Sequence, residues 1–296
     1  MISKPLTNIL VHLRLPFSLF LAPVYFFALS ESAPASGEKA LGVFFILHFL
    51  LFPASNAYNS YYDRDEGSIG LIRNPPPTSR GLLYTAILMD AAAIAGAAWL
   101  HLGWFFTVYV VVYGLVSKAY SHPAIRLKRY PVTSLLVVAL FQGLYTFIAC
   151  RAAISRLDLS DLNGFSVLFP ALLCSINLTA VYPLTQVYQH EEDEKHGDLT
   201  YSRLVGIRGT FLHAVLFFSL SFCGFTYWYL SKGQPERWLL FNAFMLPAVV
   251  YLSYWWFRVK TNHTEANYSH TMRFNALASA GLNVFFICLI LLNRSI

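Results

Sequence analysis

"LGVFFILHFLLFPASNAYNSYYDRDEGSIG" spans residues 41 to 70 and changes character halfway. Its first half is apolar and long enough to enter hydrocarbon. Its second half gathers Asn56, Asn59, Asp63, Asp65 and Glu66 in a chain that elsewhere avoids charge. Acids at the end of an apolar helix are suited to holding a cation, and behind the cation something anionic.

The whole chain repeats the first half of that pattern. Its 296 residues are 56% hydrophobic and 12% charged, with mean hydropathy +0.51; soluble domains carry roughly 25% charge. Apolar segments able to cross about 30 Å of hydrocarbon recur near 8–30, 40–60, 82–101, 103–120, 131–153, 166–188, 209–231, 238–257 and 274–293. The expectation is an all-α, polytopic membrane protein. Nine transmembrane helices would surround a central cavity, forming one membrane-embedded domain over 1–296. Arg14 interrupts the first apolar segment, so this segment reads as a retained helix rather than a secretory signal. Cys150, Cys174, Cys223 and Cys288 are scattered, with no CxxC, and read as packing residues.

Basic residues set the orientation. With the N-terminus in the cytoplasm, that side holds Lys4, Arg64, Arg73, Arg80, Lys118, Arg126, Lys128, Arg129, Lys195, Arg203, Arg208, Arg258, Lys260 and Arg273. The far side holds Lys39, Arg151, Arg156, Lys232, Arg237 and Arg294, a bias of fourteen to six. The net charge of +6 is then topology plus an anion site. Nucleic-acid binding would need a basic soluble face, and the loops leave no room for one.

If the second helix continues through the opening stretch, Asn56, Asn59, Asp63 and Glu66 share one face by steps of 3, 4 and 3 residues. Asp65 then points elsewhere. A second stripe, Gln186, Gln189, Asp193 and His196, repeats that spacing after the sixth helix. Oxygen donors from two helix ends suit Mg²⁺, which is commonly shared with substrate phosphates. Arg126, Lys128 and Arg129 in "YSHPAIRLKRYP", with Arg203 and Arg208, bring the cations a diphosphate needs. Each acidic loop taken singly reads as solvated surface; two matched stripes on one side do not. Asp90, deep in the third segment, is either functional or neutralised by protonation or by a Ser or Thr neighbour. His48, Gln142, Asn177, Asn275 and Asn283 read as interhelical hydrogen-bonding residues.

These residues resemble the UbiA superfamily of intramembrane prenyltransferases. "NSYYDRDEG" is similar to its NDxxDxxxD signature through Asn59 and Asp63, with Ser60 for the first acid and Asp65 or Glu66 for the last. "QHEEDEKHGDLTYSRLVG" resembles the second signature through Asp193, Gly197, Thr200 and Gly206, with Gln189 in place of its first acid. Tyr120, Arg126 and Lys128 match the family's basic loop, and Arg14 its first-helix arginine. The resemblance implies Mg²⁺ held by Asn59, Asp63, Glu66, Gln189 and Asp193. It implies diphosphate gripped by Arg14, Asn56, Tyr120, Arg126, Lys128 and Arg203, with Asp63, Asp193 and Lys128 central to catalysis. The expected reaction moves a prenyl group from a prenyl diphosphate to a lipophilic, aromatic acceptor at the cytoplasmic side of a cell inner membrane. An intramembrane terpene cyclase of the same superfamily is the nearer alternative. A transporter is the more distant one, because its polar groups would lie at the bilayer midplane.

Overall fold

The protein is described by a computed structural model covering residues 4–32, 36–155 and 157–294; Arg156, counted above among the far-side cations, lies outside them. Eight helical segments among the described residues are long and apolar enough to cross a membrane. They are α1 (Pro5–Ser30), α2 (Gly37–Asp63), α3 (Arg80–Trp99), α5 (Pro131–Ser155), α6 (Phe165–Leu184), α7 (Tyr201–Ser231), α8 (Pro235–Thr261) and α9 (Tyr268–Asn293). Helix α4 (Trp104–Ser121) fills the expected 103–120 segment with 18 residues, about 27 Å of axis. Its polar end, Lys118, Tyr120 and Ser121, keeps it out of the apolar set, so eight of the nine expected crossings stand on length and composition. The chain is an all-helical, multi-pass membrane protein.

The spans are less regular than their hydropathy. Helix α1 is three pieces, Lys4–Leu13, Leu15–Ser18 and Ala22–Ser30, broken where Arg14 adopts φ 48°. A break inside hydrocarbon frees carbonyls that must find donors. They do: Leu19 O accepts from Ser279 Oγ at 3.1 Å and Asn283 Nδ2 at 3.3 Å, and Ser18 O lies 3.0 Å from His48 Nδ1. Helices α2 and α5 each contain a π-turn, Ile46–Leu51 and Ala139–Leu144. Ser175 Oγ donates to Ala139 O at 2.6 Å beside the second of these turns. There Gly143 lets α5 approach the backbone of α6, since a Cβ on it would meet Ser175 N and Cα at 2.8 Å.

At one end of the bundle Phe27, Phe147, Phe225, Phe285 and Phe286 form a buried aromatic core. Leu13, Ala57, Tyr58, Leu82 and Ala86 close the opposite end around α1, α2 and α3. Large apolar side chains such as Leu88, Leu115, Leu216, Val250 and Phe257 are exposed around the outside, the surface a bilayer would cover. Asp90 pairs with Lys118 on α4, and Lys118 Nζ lies 5.1 Å from the Tyr58 ring. The partner of Asp90 is thus a cation on the next helix rather than a Ser or Thr.

Candidate active site

Helix α2 stops at Asp63 because Arg64 turns left-handed at φ 52°, its N–H donating to Ser60 O at 3.1 Å. The expected continuation to Glu66 therefore fails. Beyond the turn the pointing of the next two acids is reversed. Asp65 lines a polar chamber, whereas Glu66 is exposed and its backbone N–H donates to Glu192 Oε1 at 3.0 Å. The chamber, of about 130 Å³, is also lined by Arg14, Asn59, Asp63, Tyr120, Lys128, Gln189, Asp193 and Thr200.

The second stripe is likewise not one helix. Helix α6 ends at Leu184, a turn follows, and a separate short helix runs His190–Lys195. Asp193 reaches the chamber with Oδ2 accepting from Thr200 Oγ1 at 3.0 Å. Gln189 lines the chamber from the cap of the short helix. Gln186 is buried with Oε1 accepting from Ser202 N at 3.1 Å, and His196 is exposed at the mouth. There Asp65, Glu192 and His196 bring one ligand atom each within 4.8 Å of one another.

The cations come from the loop after α4. Lys128, 9% exposed, places Nζ 2.7 Å from Asp63 Oδ1 and 3.2 Å from Asp198 Oδ2. Arg126 grips Asp198 with Nε and Nη2, both at 2.8 Å, and extends Nη1 to 3.4 Å from Asp63. Sequence reasoning missed Asp198, which is 1% exposed. Its mark in the sequence is its place between Gly197 and Thr200, two residues that the resemblance retains.

Charge crowding follows from this geometry. Burial, reinforced by Asp63, pushes the Asp65 carboxyl up to about 6. Burial does the same for Asp193, up to about 6, against the opposing pull of the Thr200 hydrogen bond and Lys128. Burial would also raise Asp198, but the Arg126 and Lys128 contacts outweigh it and hold that carboxyl below its ordinary value. Lys128 is held above its own, because Asp63 and Asp198 outweigh the desolvation.

Arg14, Phe17, Asn59, Tyr120, Tyr182 and Thr185 line both this chamber and an apolar cavity of about 310 Å³ beneath it. Tyr120 and Tyr182 hydrogen-bond through their hydroxyls at the neck. Below them come Phe52, Tyr113, Phe141, Leu178 and Phe218, and at the far end Phe27, Phe225 and Phe286. Gln142 and Asn177 face this cavity; Gln142 donates to Tyr113 OH at 3.4 Å, Asn177 to Leu173 O of its own helix.

Three expected diphosphate contacts fall outside the chamber. Asn56 lines the apolar cavity, with its carbonyl taking Arg14 Nη2 at 3.2 Å. Arg203 is committed to the Asp198 carbonyl at 2.5 Å and faces Glu194 at 3.5 Å. Arg126 stands behind Asp63, its guanidinium shared with two carboxylates. Arg14, by contrast, is at the chamber wall, and its buried Nε lacks a hydrogen-bond partner among the described residues.

No curated protein sequence matches the chain. Solved structures do. A UbiA homolog from Archaeoglobus fulgidus bound to DMAPP and Mg²⁺ is 18% identical, with TM-score 0.69 over 96% of this chain and 99% of that one. The same homolog bound to GPP and Mg²⁺ gives 19% identity and TM-score 0.68 over the same shares. A digeranylgeranylglyceryl phosphate synthase gives 14% identity and TM-score 0.60, covering 98% of each chain. Those likenesses establish the fold, and the family model matches residues 18–277: the chain belongs to the UbiA prenyltransferase family.

Proposed function

We propose that this chain, acting as a single membrane domain over 1–296, is a Mg²⁺-dependent prenyltransferase. It would take a prenyl group from a prenyl diphosphate and deliver it to a hydrophobic, aromatic acceptor within the membrane. The observation that carries this reading is the continuity of an acid-and-cation chamber with an apolar cavity, joined at the Tyr120–Tyr182 neck. A prenyl diphosphate has the same two-part character. The solved relatives, described as bound to DMAPP or GPP with Mg²⁺, support it.

The donor set fits Mg²⁺. Asp63, Asp65 and Asp193, with the amides of Asn59 and Gln189, offer only hard oxygen ligands around one chamber. Asp65 takes the place expected for Glu66. Burial raises the Asp65 and Asp193 carboxyls, with neighbouring carboxylates adding to it, and a bound cation would favour their ionised forms. Mg²⁺ held there would supply charge neutralisation for the departing diphosphate. Lys128 and the unpartnered Arg14 Nε would bind the same anion, as preorganised donors where charge develops. The aromatic walls below the neck, Phe52, Tyr113 and Phe141, would shield an allylic cation from water and face it with π-electrons.

A transporter reading loses its main support, because the deep acid Asp90 is paired with Lys118 and lines neither cavity. The test is to incubate purified protein with Mg²⁺ and prenyl diphosphates of several lengths, with and without a membrane extract. Diphosphate release that depends on the extract, with a prenylated product, supports transfer. Release with a cyclic hydrocarbon and no acceptor would replace transfer by cyclisation. No release with any chain length would refute both.

A further inference from the structure

Asp63 is doubly engaged. It accepts from Lys128 at 2.7 Å and faces Arg126 at 3.4 Å, yet the reading above needs it to face a metal ion. When it turns, something else must keep the two cations in place, or Lys128 and Arg126 relax toward whatever oxygen is nearest.

Asp198 is built for that task. Every polar atom it has is engaged: its N–H donates to Asp193 O at 2.8 Å, and its carbonyl takes Arg203 Nη1 at 2.5 Å. Its carboxylate accepts both Arg126 nitrogens at 2.8 Å and lies 3.2 Å from Lys128 Nζ. The fork occupies the Nε–Nη2 edge of the guanidinium, which leaves Nη1 directed at Asp63 and so toward the chamber. Arg126 is itself in a left-handed backbone, φ 47°, a conformation that a surrounding structure has to over-determine. Gly197, at φ 70°, makes the turn that brings Asp198 back under Asp193. One residue thereby ties the acid-bearing helix to the basic loop.

We propose that Asp198 is a positioning residue: with Arg126 locked behind it, it holds Lys128 aimed at the diphosphate while Asp63 is given over to the metal. The proposal rests on the prenyl diphosphate reading. It excludes the simpler role in which Asp198 only neutralises buried cations. That role predicts the opposite sign, since removing a competing anion would tighten the grip on diphosphate.

The experiment compares wild type with Asp198→Asn and Asp198→Glu, purified in detergent with Mg²⁺ present. Calorimetry reads the affinity for inorganic diphosphate and for a prenyl diphosphate, and steady-state kinetics separates KM from kcat. Asp198→Asn keeps the shape but breaks the fork, and diphosphate of both kinds should bind roughly ten- to a hundredfold more weakly, with KM rising more than kcat falls. Asp198→Glu keeps the charge and displaces it, so its loss should be smaller but measurable; if the Asn variant does not fold, this variant decides. Unchanged or tighter binding of inorganic diphosphate by a folded variant would overturn the proposal. Should wild type bind inorganic diphosphate yet no prenyl diphosphate, the prenyltransferase reading fails while Asp198 is still tested. A wild type that binds neither overturns both.

Discussion

Lys128 is the residue whose environment says most about its work. A lysine that is 9% exposed and flanked by Asp63 and Asp198 is held in its charged form by both. Lys128→Ala should remove one charge-assisted contact to the diphosphate, worth about 1.5–3 kcal/mol. That is roughly a ten- to hundredfold loss of prenyl diphosphate affinity with acceptor affinity little changed, read by titration calorimetry. The acids make a second prediction, on pH. Because Asp65 and Asp193 are raised to about 6, they take up protons where ordinary aspartates stay ionised. A proton and a hard cation compete for the same oxygens. The Mg²⁺ concentration for half-maximal activity should therefore climb as pH falls from about 7 to about 5. In Asp193→Asn that climb should flatten; a Mg²⁺ requirement independent of pH in wild type would remove both carboxyls from the metal shell. Much of this residue set was legible in the sequence, since Asn59, Asp63, Lys128 and Asp193 meet in one chamber. The Asp65-for-Glu66 exchange was not. It depends on Arg64 adopting positive φ, and arginine carries no sequence mark for that conformation as glycine does.

At the scale of elements, spans were readable and their interruptions were not. Hydropathy finds where hydrocarbon begins and ends, but a π-turn or a left-handed arginine leaves the composition unchanged. The three-piece α1, the π-turns of α2 and α5 and the break between α6 and the His190–Lys195 helix all fall in this blind spot. Three of them place a cavity residue: Arg14 at the first break, Gln142 in the second π-turn, Gln189 at the last cap. The close approach at Gly143 gives a clean test of the π-turn. A methyl group there would meet the Ser175 backbone at 2.8 Å, a neighbour that cannot swing aside. Gly143→Ala should cost about 1–3 kcal/mol of stability through overpacking, seen as a lower unfolding temperature in detergent. It should also lower turnover, since α5 and α6 carry Phe141, Gln142, Asn177 and Leu178 on the cavity wall. An alanine variant of wild-type stability would mean the two helices have slack at this crossing.

For the whole molecule, the fourteen-to-six basic bias predicts that both acidic loops and the chamber face the cytoplasm. Cysteines introduced at the exposed positions Glu66 and Lys195 should react with an impermeant maleimide only from the cytoplasmic side, and one at Ser160 only from the other. Opposite labelling of Glu66 and Lys195 would break the molecule's logic. Their loops are joined in the structure, Glu66 N donating to Glu192 Oε1. The labelling also counts crossings, because three helices, α3, α4 and α5, separate Glu66 from Ser160, and α4 must traverse the bilayer for Ser160 to lie on the far side.

The stacked pair Phe27–Phe286, ring centroids 4.5 Å apart with Phe225 against Phe27 at 5.4 Å, turns the apolar cavity into a ruler with a fixed zero. The zero would be the chamber, where charge would fix the diphosphate; the stop is this aromatic wall. A chain that fits between them has its reactive carbon at the acids. A longer chain can still lodge its tail, but only by lifting its head off the zero mark. Such a substrate should bind passably and react poorly, so length selection would appear in kcat rather than in KM. Phe27→Ala would move the stop and leave the zero where it is, and competition between prenyl diphosphates of graded length should then shift toward the longer ones.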